Sequence, residues 1–315
     1  MLYVTTRDYK DAYTVHKTML SDLAPDSGAF VPFQIPALNN EEMETLLKKS
    51  TGEIIATILN CFFTAKLTGW SVDLAIGRNS LKTVNLSQKV IIAETWRNPG
   101  YSYQYVVDNL YKLLSDSSEI SKTPTNWVRV AIKISLLFAT YASVIANETL
   151  RREEVFDVSV GVEDFTDPIA VWYAKQMGMP VEMIICATTD NDAVWDLIHR
   201  SQIATSNLSV SLSSGLERLI YNVYGQSEAV RFAETAQARR IYSIDPETDI
   251  LLSDSYFCSV VGTNRAETVI NSLSRTDNYT LVPETAIVYG ALQDYRAKTG
   301  ENRTTLLFSN QCPDQ

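Results

Sequence analysis

The chain has 315 residues, of which 45% are hydrophobic and 20% charged, and its 27 Lys and Arg face 37 Asp and Glu for a net charge of −10. That length suits one large domain or two smaller ones with a full core. An acidic balance without a basic stripe argues against a nucleic-acid partner and against binding to an anionic membrane surface.

The opening residues, MLYVTTRDYK, hold no long apolar stretch, and no apolar run approaches the ~18 residues of a membrane span, so no membrane partner and a cytoplasmic location are expected. Four widely spaced cysteines (Cys61, Cys186, Cys258, Cys312) without a CxxC pair read as reduced thiols. With two histidines, His16 and His199, a histidine-rich metal site is excluded, and no metal is expected. Neither histidine stands in a nucleophile-elbow context, and glycine-rich nucleotide loops are absent.

In chain order, Leu2–Thr5 reads as a short strand, followed by a polar helix and a turn, Leu23–Pro32, that leads into extended chain. A helix follows Asn39-Asn40, with Met43, Leu46 and Leu47 on its apolar face. Ser50-Thr51-Gly52-Glu53 has the spacing of a capping box and opens a helix striped by Ile54, Ile55, Ile58, Leu59, Phe62 and Phe63. Val90–Ala93 is a β-type run that breaks at Arg97-Asn98-Pro99-Gly100. Beyond it Tyr103, Val106, Val107, Leu110, Tyr111 and Leu114 recur at helical spacing. A polar connector, Ser115–Glu119, precedes a long helix from Asn126 to about Glu148; its apolar stretch Ile132–Ile145 reads as buried.

Val155–Val162 and Val181–Ala187 are predicted parallel strands. Between them lie a turn at Asp164–Pro168 and a helix at Ile169–Met177 that ends at Gly178 and Pro180. Helices are predicted at Leu216–Tyr224, Glu228–Arg240 and Thr285–Ala297, and a last strand at Thr304–Phe308. Alternating strands and helices indicate an α/β fold with helices on both faces of the sheet.

Six stretches, in order, resemble the threonine synthase family, pyridoxal-phosphate (PLP) enzymes of fold type II. Asp26-Ser27-Gly28-Ala29-Phe30-Val31-Pro32 is similar to the family's D-G-G-L-F-V-P, and Asn126-Trp127-Val128-Arg129-Val130 to N-W-A-R-I. Val158-Ser159-Val160 stands where the strand before the family's phosphate loop would be. Ala187–Asp192 resembles A-T-N-x-N-D, Ser213–Leu219 resembles S-S-N-x-E-R-L, and Pro283–Ile287 resembles P-H-T-A-V. The resemblance implies the tryptophan-synthase-β-like large-domain sheet of fold type II. It divides the chain into an N-terminal threonine-synthase-like helical segment, 1–88, and a large α/β domain, 89–315.

The resemblance fails where the family's chemistry resides. Glu94–Tyr105 lies across the lysine motif E-L-F-H-G-P-T-L-A-F-K-D and puts Gln104 at the Schiff-base lysine. The phosphate loop S-G-N-F-G-D becomes Val162-Glu163-Asp164-Phe165-Thr166-Asp167, with both glycines replaced and two acids added. One like-charge pair at ~4 Å costs about 4 kcal/mol at an effective dielectric of ~20. That is half of the roughly 8 kcal/mol in a micromolar affinity. The C-terminal S-T-A-H-P becomes Ser309-Asn310-Gln311-Cys312-Pro313, so Asn310 takes the pyridine-nitrogen position. The family's small lobe would have to fit within about 115–126, too short for a domain of ~50 residues, and is expected to be deleted.

These losses predict a pseudoenzyme that binds no PLP and has no catalytic residues of the inherited kind, kept for binding or interaction. The alternative is a repurposed, PLP-independent enzyme of isomerase, cyclase or lyase type. It would bind a small organic ligand with Glu94, Arg97, Tyr103 and Gln104, near Trp96, Tyr101 and Tyr105. A working threonine synthase would need a substitute such as Lys133, which reads better as solvent-facing or snorkelling. Loss of the lobe exposes a sheet edge, and a homodimer covering it is expected.

Overall fold

The computed structural model describes residues 1–77, 81–95, 103–114, 122–189, 192–245 and 250–313. The N-terminal segment builds a small antiparallel sheet in which β1 (Leu2–Thr5) lies between β2 (Tyr13–Thr14) and β3 (Phe30–Pro32), with α1 (Val15–Leu20) leading on from β2. Then come α2 (Asn40–Leu47) and α3 (Thr51–Phe62), each opened by a complete capping box, Asn39 with Glu42 and Ser50 with Glu53. A further helix, α4 (Gly69–Ile76), crosses α3 where both carry glycine. A Cβ on Gly52 would sit 2.7 Å from the Gly69 carbonyl oxygen, so only glycine permits this approach.

The second part of the chain runs as β4 (Lys82–Leu86), β5 (Val90–Glu94), α5 (Tyr103–Leu114), α6 (Trp127–Ala146), β6 (Phe156–Gly161), α7 (Thr166–Gln176), β7 (Val181–Thr188) and α8 (Asp192–Arg200). It continues through β8 (Gln202–Ala204), α9 (Val210–Tyr224), α10 (Gln226–Gln237), β9 (Ile241–Ser243), α11 (Ile250–Ser253), β10 (Tyr256–Val260), α12 (Thr263–Thr276), α13 (Pro283–Thr299) and β11 (Thr305–Ser309). The main sheet has the order β10-β7-β6-β11-β5-β4; β4 alone pairs antiparallel, and β8 and β9 form a separate ribbon.

The pleat sorts the β-run into two cores. Ile91 and Ala93 face the larger core with α3, α6 and α7, while Val90 and Ile92 face the smaller one with α12 and α13. Helices therefore cover both faces, as expected. The centre of the larger core is Trp127, fully buried, with edge-to-face contacts to Tyr3, Phe62 and Tyr173 at 6.0, 5.6 and 5.0 Å. Its neighbours come from the N-terminal sheet, α3 and α7, so this ring joins the N-terminal segment to the α/β part. The helix long and apolar enough to cross a membrane, α6, is mostly buried in this core.

Boundaries differ from expectation in places. Strands β4 and β10 and helices α4, α8 and α12 add to the elements read from the sequence. Helix α7 begins at Thr166 rather than Ile169; Asp164, just ahead of the Phe165 N-cap, accepts a hydrogen bond from the Thr166 amide. The helices α5 and α6 end and begin at Leu114 and Trp127, which leaves residues 115–126 to join them.

Asp157 in β6 is 1% exposed, accepts a hydrogen bond from the Met183 amide at 3.2 Å, and has the Arg303 guanidinium at 3.7 Å. Burial outweighs that cation and pushes its carboxyl from 3.8 up to about 6. A folded value above the unfolded one means that stability from this group is complete below pH ~4 and is lost as pH rises through ~6. The Asp157→Asn variant should gain on the wild type by on the order of 1–3 kcal/mol between pH 4 and pH 7.5. Urea unfolding of both proteins at the two pH values measures it; a constant difference would contradict the assignment.

Candidate functional site

A cleft of about 1000 Å³ opens over the C-terminal ends of β6, β7 and β11. This is where α/β sheets place ligands, because the chain turns from strand to helix there in different directions. Its walls come from α5, α6, the loop after β6, α7, α8 and the start of α13.

The floor is a ladder of charges between α6 and α7. Arg129 and Lys133, one turn apart on α6, face Asp164 and Asp167. Arg129 Nη2 lies 3.7 Å from Asp164 Oδ2, and Lys133 Nζ is in direct contact with Asp167 Oδ1. The other Asp164 oxygen accepts a hydrogen bond from the Thr166 amide at 2.9 Å, within the first turn of α7. Phe165, between them, is left-handed with φ of 59°. The loop backbone lies directly on α9: a Cβ on Gly215 would be 2.7 Å from the Asp164 carbonyl oxygen, which holds the turn in place.

Lys133 is 12% exposed at its side chain, and its ammonium sits 5.2 Å from the centre of the Tyr103 ring. Burial alone would lower its pKa. Asp167 and Tyr103 outweigh that penalty and raise the group above an ordinary lysine, so it is a firmly held cation. Burial in turn raises the Tyr103 phenol, against the influence of Lys133.

The structure brings some of the sequence candidates together and separates others. Tyr103 and Gln104 line the cleft, as do Val162, Glu163, Asp164 and Asp167 of the altered loop. Phe165 and Thr166 are buried behind it. Gln104 is exposed, and its amide nitrogen donates to Asp108 one turn along α5 at 3.1 Å. Glu163 is exposed at the rim. Asn310 reaches the cleft, with its Oδ1 2.8 Å from the Thr95 hydroxyl. Glu94 is buried behind the strand end and accepts a 2.8 Å hydrogen bond from the Tyr279 hydroxyl, outside the cleft lining. Arg97, Trp96 and Tyr101 lie outside the described residues.

Lys133, expected to face solvent or to snorkel, lines the cleft with its side chain 12% exposed. Asp167 stood in the altered loop, whereas Arg129 appeared only within the helix-start motif and its pairing with Asp164 was not foreseen. Most of α6 is apolar and buried, so two cations at i and i+4 on it have to meet a cavity or counter-charges. That spacing was the available signal.

The first amide of α7 holds the Asp164 carboxylate, and the α5 position on the cleft carries the Gln104 amide.

Comparison with known proteins finds similarity to threonine synthases. The family profile described as Threonine synthase N terminus matches residues 2–76. The human protein named Threonine synthase-like 1 is 24% identical over 180 residues, covering 53% of this chain and 24% of its own length. The chain thus spans about a quarter of that curated relative. Among solved structures, PLP-bound threonine synthase from Brucella melitensis superposes with a TM-score of 0.79 at 17% identity, covering 99% of this chain and 89% of the other. The yeast threonine synthase gives 0.80 at 15%, covering 99% and 87%. At these identities the likeness is one of fold. The chain has the threonine synthase fold.

Replacing one member of the floor ladder leaves its partner without a counter-charge. Asp167→Asn should destabilise the protein by about 1–3 kcal/mol, a value discounted because Asp167 is one-third exposed. Adding Lys133→Met should recover most of that loss in urea unfolding. A double variant as unstable as the two single losses summed would contradict the coupling.

Proposed function

We propose that this threonine synthase-like chain no longer carries out PLP chemistry and retains its cleft as a binding site for a small organic ligand that lacks a phosphate. The observation that carries the reading is Gln104. It stands on the cleft-facing turn of α5 with its amide nitrogen engaged by Asp108. An amide nitrogen shares its lone pair with the carbonyl and cannot form an imine.

The lysine that does reach the cleft does not replace it. Lys133 is protonated and bound to Asp167, so its nitrogen offers no free lone pair until both interactions are given up. Residues 115–126 are too few to build a lobe that would close the cleft, which argues against the water exclusion a PLP reaction needs. Together these features support a pseudoenzyme whose scaffold outlived its reaction.

A second reading keeps a reaction. Lys133, Tyr103 and Asp167 form a hydrogen-bonded set of titratable groups at the cleft floor. Such a set can hold or move a proton for a PLP-independent isomerase, cyclase or lyase. Its raised lysine suits holding a negative oxygen better than accepting a proton, and this places it second.

Incubation with PLP followed by borohydride separates the readings from an active synthase. The purified protein should keep its polypeptide mass and show no pyridoxyl peptide. A pyridoxyl group fixed on Lys133 would contradict the proposal.

A further inference from the structure

Helix α7 begins at the cleft floor, and its first amides bring the positive end of the helix dipole there. A helix end so placed ordinarily draws an anion from solution. In this chain the anion comes from the loop itself. Asp164 Oδ1 accepts from the Thr166 amide at 2.9 Å while its Oδ2 lies 3.7 Å from Arg129 Nη2, and Asp167 takes up Lys133. Two carboxylates thus match one helix end and two cations, the charge that a phosphate monoester dianion would otherwise bring.

Arg129 is left with spare capacity. Its Nε is buried without a hydrogen-bond partner, and its contact to Asp164 is longer than a hydrogen bond. The guanidinium is therefore positioned for an anion that this carboxylate satisfies only in part. The turn cannot readily move aside, because its backbone packs on Gly215 of α9.

We propose that Asp164 is an internal ligand: it occupies the α7 N-terminus in place of a phosphate, closes the cleft to phosphate-bearing molecules, and its removal exposes an anion site formed by the Thr166 amide and Arg129. This deepens the proposed function at a point separate from Gln104. The wild type should show no phosphate-dependent rise in Tm and no heat of phosphate binding, compared with chloride at equal ionic strength.

Asp164→Gly should bind inorganic phosphate about tenfold or more tightly than the wild type. Asp164→Asn keeps an oxygen on the Thr166 amide and should gain nothing. Arg129→Ala added to Asp164→Gly should remove the gain. A cooperatively folded Asp164→Gly protein without phosphate binding overturns the proposal, as does a wild type that binds phosphate equally well. Should the glycine variant fail to fold, Asp164→Ala provides the same comparison, with no side-chain oxygen to hold the Thr166 amide. Inorganic phosphate has no aldehyde, so a failure here leaves the lysine question untouched, and a borohydride-trapped adduct there leaves this test standing.

Discussion

A helix that starts in a cleft leaves its first amide groups in need of acceptors, and in this protein Asp164 accepts from one of them, that of Thr166. That single contact explains the order of events around it. The carboxylate over the Thr166 amide draws Arg129 towards it, and the next acid of the same loop, Asp167, holds Lys133. Lys133 in turn lies against the Tyr103 ring at the start of α5. The floor of the cleft is thereby neutral and internally bonded, and the turn that carries it is fixed on α9 through Gly215.

The scaffold around this floor is held by interactions remote from it. Arg218 of α9 is buried and donates to the Phe30 carbonyl at 3.1 Å and the Thr125 carbonyl at 2.6 Å; burial lowers its pKa to about 10. Its neighbour Glu217 binds the Thr6 hydroxyl and the Arg7 guanidinium. Both residues tie the N-terminal sheet to the α/β part, and with the Trp127 cluster they make one structure of the two segments. Each of these groups lies outside the cleft lining.

Much of the fold was legible because its signals are local. The Ser50/Glu53 capping box, the stripe from Ile54 to Phe63 and the Val90–Ala93 run each specify an element without reference to the rest of the chain. At the site, Gln104 and the acids of the 162–167 loop were legible from position alone. Their partners were not. Nothing in the order of residues shows that Asp164 folds back on Thr166, or that Tyr279 reaches across 185 positions to Glu94. Lys133 was read as solvent-facing or snorkelling because a lysine on a helix is usually at the surface, whereas most of α6 is buried and Lys133 lines the cleft.

The most direct test is a crystal structure from crystals grown with excess PLP. The account predicts a cleft in which the Asp164 carboxylate sits on the Thr166 amide, Lys133 remains bound to Asp167, and no cofactor density is present. A phosphate on the Thr166 amide with Asp164 turned away, or a covalent bond from PLP to Lys133, would contradict it.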